Sequence, residues 1–189
     1  MTESPNPNIV DTDSLTGEMH PIRRVVVALG SNLGERLATL QGAVDALADT
    51  PDFFVTGVSP VYETDPVDSP EDAGSFLNAV LLADTTLPAA RLMERALAIE
   101  DAFERERSNV VNAPRTLDVD LIVVGDRRSN EDFLRLPHPR AHERAFVLQP
   151  WHDLEPDAVF PERGPISELL AATDATILRR REDLTLEAG

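Results

Sequence analysis

Cysteine and lysine are both absent from the 189 residues: all 17 cations are arginine, set against 34 Asp and Glu for a formal charge of −17. Each absence closes a route. Without cysteine there is no thiolate nucleophile, disulfide, thiolate zinc site or iron–sulfur cluster. Without lysine, a phosphate loop ending in Gly-Lys-Ser/Thr and Schiff-base catalysis are both excluded. No apolar run approaches the ~20 residues of a membrane helix, and the N-terminus lacks the basic and apolar regions of a secretory signal. A cytoplasmic chain with no membrane partner is the expectation. A pI near 4.5 argues against nucleic acid as a partner, because release of counterions from a phosphate backbone requires a basic surface. An acidic chain that handles phosphate must instead concentrate its few arginines in one place and recruit metal ions.

The length suits one domain, and 42% hydrophobic residues suffice for a single core. Residues 1–22, with Pro5, Pro7 and Pro21 and few apolar side chains, read as a disordered acidic tail. The domain is expected over 23–175, and 176–189 reads as a C-terminal tail. Val25 to Leu29 is a short apolar run of the buried-strand type. Gly30-Ser31-Asn32-Leu33-Gly34 is a tight turn, after which Leu37, Leu40, Val44 and Leu47 trace the stripe of an amphipathic helix. Phe53 to Thr64 is strand-like, with Gly57 and Pro60 predicting a bulge or an edge. Phe76 to Asp84 is a cleaner strand. Leu92, Ala96, Ile99 and Phe103 space a second helix, opened by Pro88. Leu117 to Val124 is the strongest strand, and one short helix is expected at Ile166–Ala172. The order strand–helix–strand–strand–helix–strand predicts an α+β, ferredoxin-like split βαβ sandwich. Its sheet is mainly antiparallel, two long helices cover one face, and further helices follow toward the C-terminus.

Asp118 and Asp120 carry the sharpest chemical signal. Alternation along a strand puts both carboxylates on one face, about 6.6 Å apart along the backbone, while Leu117, Val119, Leu121 and Val123 point the other way. Neighbouring carboxylates on an apolar strand repel each other and lose hydration, and a divalent cation resolves that conflict. Hard oxygen ligands with no adjacent His or Cys favour Mg²⁺. A solvent-facing pair at a sheet rim is the alternative. Arg105, Arg107, Arg115, Arg140 and Arg144 cluster around this strand in sequence, with His138 among them, and guanidinium forks bind phosphate oxygens bidentately. Helix C-terminal charge pairing explains Arg105 and Arg107 equally well. Phe76 and Asn78 share a strand face, as do Tyr62 and Thr64. A ring beside amide and hydroxyl groups suits a flat heterocycle, and ordinary core with a cross-strand pair is the competing account. His138, between Pro137 and Pro139, either donates to phosphate or caps the next helix. Trp151 reads as core.

These segments stand in one order and spacing: Gly30-Ser31-Asn32, Tyr62-Glu63-Thr64-Asp65-Pro66, Phe76-Leu77-Asn78-Ala79, Pro114-Arg115-Thr116-Leu117-Asp118-Val119-Asp120, and Leu136-Pro137-His138-Pro139-Arg140 through Arg144-Ala145-Phe146-Val147-Leu148. Together they closely resemble the 6-hydroxymethyl-7,8-dihydropterin pyrophosphokinase family of folate biosynthesis, over roughly residues 24–160. The resemblance implies a ferredoxin-like fold, two Mg²⁺ ions, and transfer of the β,γ-diphosphoryl group of ATP to the pterin hydroxymethyl with release of AMP. It implies Asp118 and Asp120 as ligands of both ions and as catalytic residues with Arg105 and Arg107. It implies ATP contacts at Glu100, Arg105, Arg107, Arg115, His138 and Arg144, and a pterin pocket of Thr64, Phe76, Asn78 and Phe146, with the two rings sandwiching the bicycle. The chain departs from the family pattern at Asn112-Ala113, where many members have Trp-Gly, at Leu97 in place of a Gln, and at Asp68 in place of a Gly. Arg105 and Arg107 are expected on a polar loop that closes over both substrates. A monomer is expected. The rival activities are transfer of only the γ-phosphoryl group to another small alcohol, and a non-catalytic nucleotide-binding module on the same scaffold.

Overall fold

The computed structural model describes residues 21–65, 74–107 and 117–188, without the side chains of 105–107. The N-terminal tail up to residue 20 therefore lies outside the described residues, as do Asp68, Asn112, Ala113 and Arg115.

The chain enters at β1 (Arg23–Ser31) and continues through α1 (Arg36–Ala48), β2 (Phe53–Val58), β3 (Tyr62–Thr64), β4 (Phe76–Thr85), α2 (Ala89–Arg107) and β5 (Asp118–Val124). One six-stranded sheet orders β5 beside β1 and β1 beside β4. β2 and β3 both pair with β4, each antiparallel. This is the split βαβ arrangement with its second strand broken in two. The break falls where Gly57 and Pro60 stand, and the β2–β4 register shifts between Val55 and Gly57. A bulge at a glycine and a strand end at a proline are what these residues dictate, since proline cannot donate to the ladder.

Both long helices cover one face. Leu40, Val44 and Leu47 of α1 and Leu92, Ala96 and Ile99 of α2 pack with Val25, Val27, Leu29, Leu81 and Leu121 in the larger core. At the helix crossing, Gly42 leaves room for Phe103: a Cβ built on Gly42 would lie 2.5 Å from Phe103 Cζ. The opposite face is covered by α3 (Ala145–Leu154) and α4 (Ile166–Ala171), whose Val147, Leu148, Trp151 and Ile166 pack on Val26, Val80, Leu82 and Ile122. Two short hairpins complete the fold: β6 (Ser129–Asn130) with β7 (Arg135–Leu136), whose Leu136 packs in the larger core, and β8 (Val159–Phe160) with β9 (Gly164–Pro165), whose Phe160 packs on the α3 side.

Three expectations change. Val123 packs on the α3 side together with Ile122, because the β1–β5 register slips between Val26 and Val27 and strict alternation fails there. Residues 105–107 are the last turn of α2, not a loop: anchored at Phe103, the helix runs on through the Glu104-Arg105-Glu106-Arg107 run of good helix formers. Residues 178–180, read as tail, form β10 (Leu178–Arg180), which pairs with β3 at the sheet edge. Beyond it Leu184 and Leu186 pack into the larger core.

Candidate active site

The cross-strand registers place one row of residues side by side: Tyr62 on β3 faces Asn78 on β4, Asn78 faces Gly30 on β1, and Gly30 faces Asp118 on β5. At a strand spacing of about 4.8 Å, the backbone positions of Asn78 and Asp118 stand roughly 10 Å apart, with a residue lacking a side chain between them. In the next row Ala28 faces Asp120. The central strand thus presents Gly30 and Ala28 as a low floor, flanked by polar walls. A cavity of about 310 Å³ opens there, lined among others by Gly30, Thr64, Phe76, Asn78, Asp118, Asp120, Arg144 and Phe146. Its size lies at the lower end of small-ligand pockets.

Seven of the sequence-predicted residues therefore meet in one cavity: Thr64, Phe76, Asn78, Asp118, Asp120, Arg144 and Phe146. Asn78 and Thr64 are buried, and Asn78 Nδ2 donates to Thr64 Oγ1 at 3.0 Å. That bond leaves the amide oxygen as acceptor and the hydroxyl proton as donor for a heterocycle edge. Phe146, in the first turn of α3, has the Arg144 guanidinium 5.6 Å from its ring centroid. Stacking on an aromatic face orients a guanidinium without consuming its donors.

Asp118 and Asp120 are half-buried on the outermost strand of the sheet. Among the described residues no third carboxylate or imidazole joins them in a ligating cluster. Two hard carboxylates facing an open cavity fit Mg²⁺, which retains waters and takes its other ligands from substrate phosphates, and do not fit zinc.

Two predicted residues stand apart from the cavity. Glu100 is buried on α2 and its Oε1 accepts from the Val119 amide at 3.4 Å, between the two aspartates. It braces an amide of β5, which among the described residues has no neighbouring strand on its far side. His138 lies in a second cleft of about 410 Å³ with Arg128, Arg135 and His142. Its Nδ1 accepts from the Arg140 amide at 3.1 Å, so in the neutral ring the proton resides on Nε2. Burial, then the positive charges of Arg144 and Arg140 and the nearby His142, push its pKa down to about 4, and the ring is neutral at pH 7. The described residues do not extend to Arg115, nor to the side chains of Arg105 and Arg107. Leu97, on α2, is 41% exposed.

Sequence reasoning passed over the floor. Gly30, expected in a tight turn, lies within β1, and a Cβ there would lie 3.5 Å from Asn78 Oδ1 and 3.8 Å from Phe76 Cδ1. Small residues at alternate positions, Ala28 and Gly30, on an otherwise bulky apolar strand were the available signal.

Fold and cavity define a ferredoxin-like small-molecule domain in which a ring-and-amide half adjoins a half bearing paired carboxylates and an arginine. The chain belongs to the 7,8-dihydro-6-hydroxymethylpterin-pyrophosphokinase (HPPK) family, which it matches over residues 26–156. It is 41% identical over 151 residues to the 2-amino-4-hydroxy-6-hydroxymethyldihydropteridine pyrophosphokinase of Pseudomonas aeruginosa, covering 80% of this chain and 92% of that one. It is 42% identical over 161 residues to the same-named protein of Mycobacterium tuberculosis, covering 78% and 82%. The Methylorubrum extorquens protein of that name is 38% identical over 159 residues, covering 84% and 99%. Among solved structures, the HPPK-DHPS of Plasmodium falciparum superposes with a TM-score of 0.63 at 14% identity. That match covers 82% of this chain and 44% of the Plasmodium chain, and it bears on the fold alone.

Proposed function

We propose that this chain transfers the β,γ-diphosphoryl group of ATP to the hydroxymethyl oxygen of 6-hydroxymethyl-7,8-dihydropterin, releasing AMP, as a cytoplasmic step of folate biosynthesis. The observation that carries the proposal is the single row Asn78–Gly30–Asp118. It supports a flat heterocycle held at one end by an amide and presented at the other to a carboxylate pair.

In this reading Thr64 and Asn78 hydrogen-bond the pterin edge while Phe76 and Phe146 stack against its faces. Arg144, oriented on Phe146, meets the phosphate chain, and neutral His138 donates to it from Nε2. Glu100 acts on the nucleotide half through the Asp118–Asp120 segment, whose backbone it braces. Arg105, Arg107 and Arg115 complete the phosphate-binding set and gather the negative charge that develops during transfer. Two magnesium ions held by Asp118 and Asp120, when bound, neutralise phosphate charge and lower the pKa of the attacking hydroxyl. The hydroxymethyl oxygen bonds to the β-phosphorus, the bond from that phosphorus to the α,β-bridging oxygen breaks, AMP departs with the electron pair, and the hydroxyl proton passes to solvent. The chain is taken to act as a monomer.

The test is product analysis. With ATP, Mg²⁺ and the pterin alcohol, the proposal requires AMP and the pterin diphosphate in equal amounts. ADP as the nucleotide product would establish γ-phosphoryl transfer instead, and binding without any product would establish a non-catalytic module.

A further inference from the structure

The pterin half of the cavity leans on a strand of three residues. β3 supplies Thr64, and a strand this short is marginal unless both of its edges are paired. One edge pairs with β4. The other is covered by β10, with Leu178 opposite Thr64 and Arg179 opposite Glu63, and the Arg181 amide donates to the Val61 carbonyl at 2.8 Å. The side chains lock this pairing. Glu63, on the face opposite Thr64, accepts from Arg36 at 2.9 Å, from Arg179 at 3.1 Å and from Arg181 at 3.2 Å. Arg179 also forks onto Asp65, and Arg181 onto Asp183, so three guanidiniums are balanced by three carboxylates. The same Arg36 Nη1 donates to the carbonyl and the hydroxyl of Ser75, the residue before Phe76. One network thus fixes the residues adjoining Thr64 and Phe76. The segment that closes it is itself anchored: Leu184 and Leu186 pack into the core, and Glu187 exchanges two hydrogen bonds with Gln41 of α1.

We propose that the C-terminal segment 178–187, acting through Glu63, is a positioning element of the pterin half-site. It sets pterin affinity without touching the ligand, and it rests on the functional reading above. An isolated surface pair contributes little, but a closed network with one shielded member is stiff. Burial pushes the Glu63 carboxyl up, yet the hydrogen bonds from Arg179 and Arg36 outweigh it and hold the group below the ordinary glutamate range. Release of β10 from β3 frees the edge on which Thr64 sits, and a misplacement well under 1 Å in a hydrogen-bonding group is felt in binding.

The decisive experiment compares the full-length wild type with the double variant Arg179→Ala/Arg181→Ala. It measures pterin affinity by fluorescence titration and both KM values in the AMP-release assay. The double variant is expected to bind pterin about tenfold more weakly, with KM for ATP unchanged within about twofold. Arg179→Lys/Arg181→Lys, which keeps the charge without the fork, is expected to fall between the two. If the double variant does not fold, Arg179→Ala alone supplies the same comparison, because Arg179 is half exposed. Unchanged pterin affinity, or parallel loss of affinity for both substrates, overturns the inference. Failure of the wild type to bind pterin at all overturns the functional reading instead, so the two failures are distinct.

Discussion

Asn78 and Thr64, on neighbouring strands, are joined by a 3.0 Å hydrogen bond in the cavity wall, beside Phe76. The bond fixes which atoms of each side chain face the cavity. Asn78→Ala removes the acceptor and leaves the Thr64 hydroxyl without its donor. The variant is expected to lose roughly 1–3 kcal/mol of stability and to raise KM for the pterin at least about tenfold, with KM for ATP little changed. Urea denaturation and steady-state kinetics on the same preparation check both halves.

Replacing Asp118 separates chemistry from folding. Asp118 is half-buried at a sheet edge, so Asp118→Ala is expected to retain its secondary structure and melt within a few degrees of wild type. Turnover should fall by at least about 10³-fold, as when a principal electrostatic group is removed from a reacting centre. Near-full activity in this variant would withdraw the metal assignment.

Gly30 offers a steric test of the cavity floor. The atoms nearest to an added Cβ are Asn78 Oδ1 at 3.5 Å and Phe76 Cδ1 at 3.8 Å, so the methyls of a valine have nowhere to go but into the ligand space. Gly30→Val is expected to weaken pterin binding by more than about tenfold while the isolated nucleotide still binds. Calorimetry with each ligand alone distinguishes this from general misfolding.

The His138 ring makes stability depend on pH in a defined window. Its folded pKa of about 4 lies below the ordinary value of 6.5. Between these values the unfolded chain holds the extra proton, so stability falls as pH drops from 6.5 toward 4. Above 6.5 both states are neutral and the contribution is constant. Denaturant midpoints measured from pH 7 to pH 4 should fall less steeply for His138→Asn than for wild type. NMR titration of the ring should give no inflection between pH 6 and 7.

Much of this was legible in the residues because periodicity and alternation are local. The stripes of α1 and α2, the strand at Leu117–Val124 and the shared face of Asp118 and Asp120 need only a helical or a two-residue repeat. The break of the second strand at Gly57 and Pro60 was equally direct. What the repeat conceals is where it slips: nothing in Ile122-Val123 announces the register shift that sends both to the α3 side. The C-terminal strand was illegible for another reason. Leu178-Arg179-Arg180 has no strand-like pattern; it is held as a strand by backbone pairing with β3, where Glu63 and Asp65, more than a hundred residues earlier, offer partners for Arg179. Gly30 looked like an ordinary turn residue until the register set it between Asn78 and Asp118.

The central claim is that one cavity holds the pterin at its amide end and metal-bound triphosphate at its carboxylate end. A crystal grown with magnesium, an unreactive ATP analogue and 6-hydroxymethyl-7,8-dihydropterin tests this most directly. The account predicts cations bound to both Asp118 and Asp120, with the bicycle between Phe76 and Phe146 against Thr64 and Asn78. Cations seated on other residues, or a pterin bound away from that pocket, would contradict it.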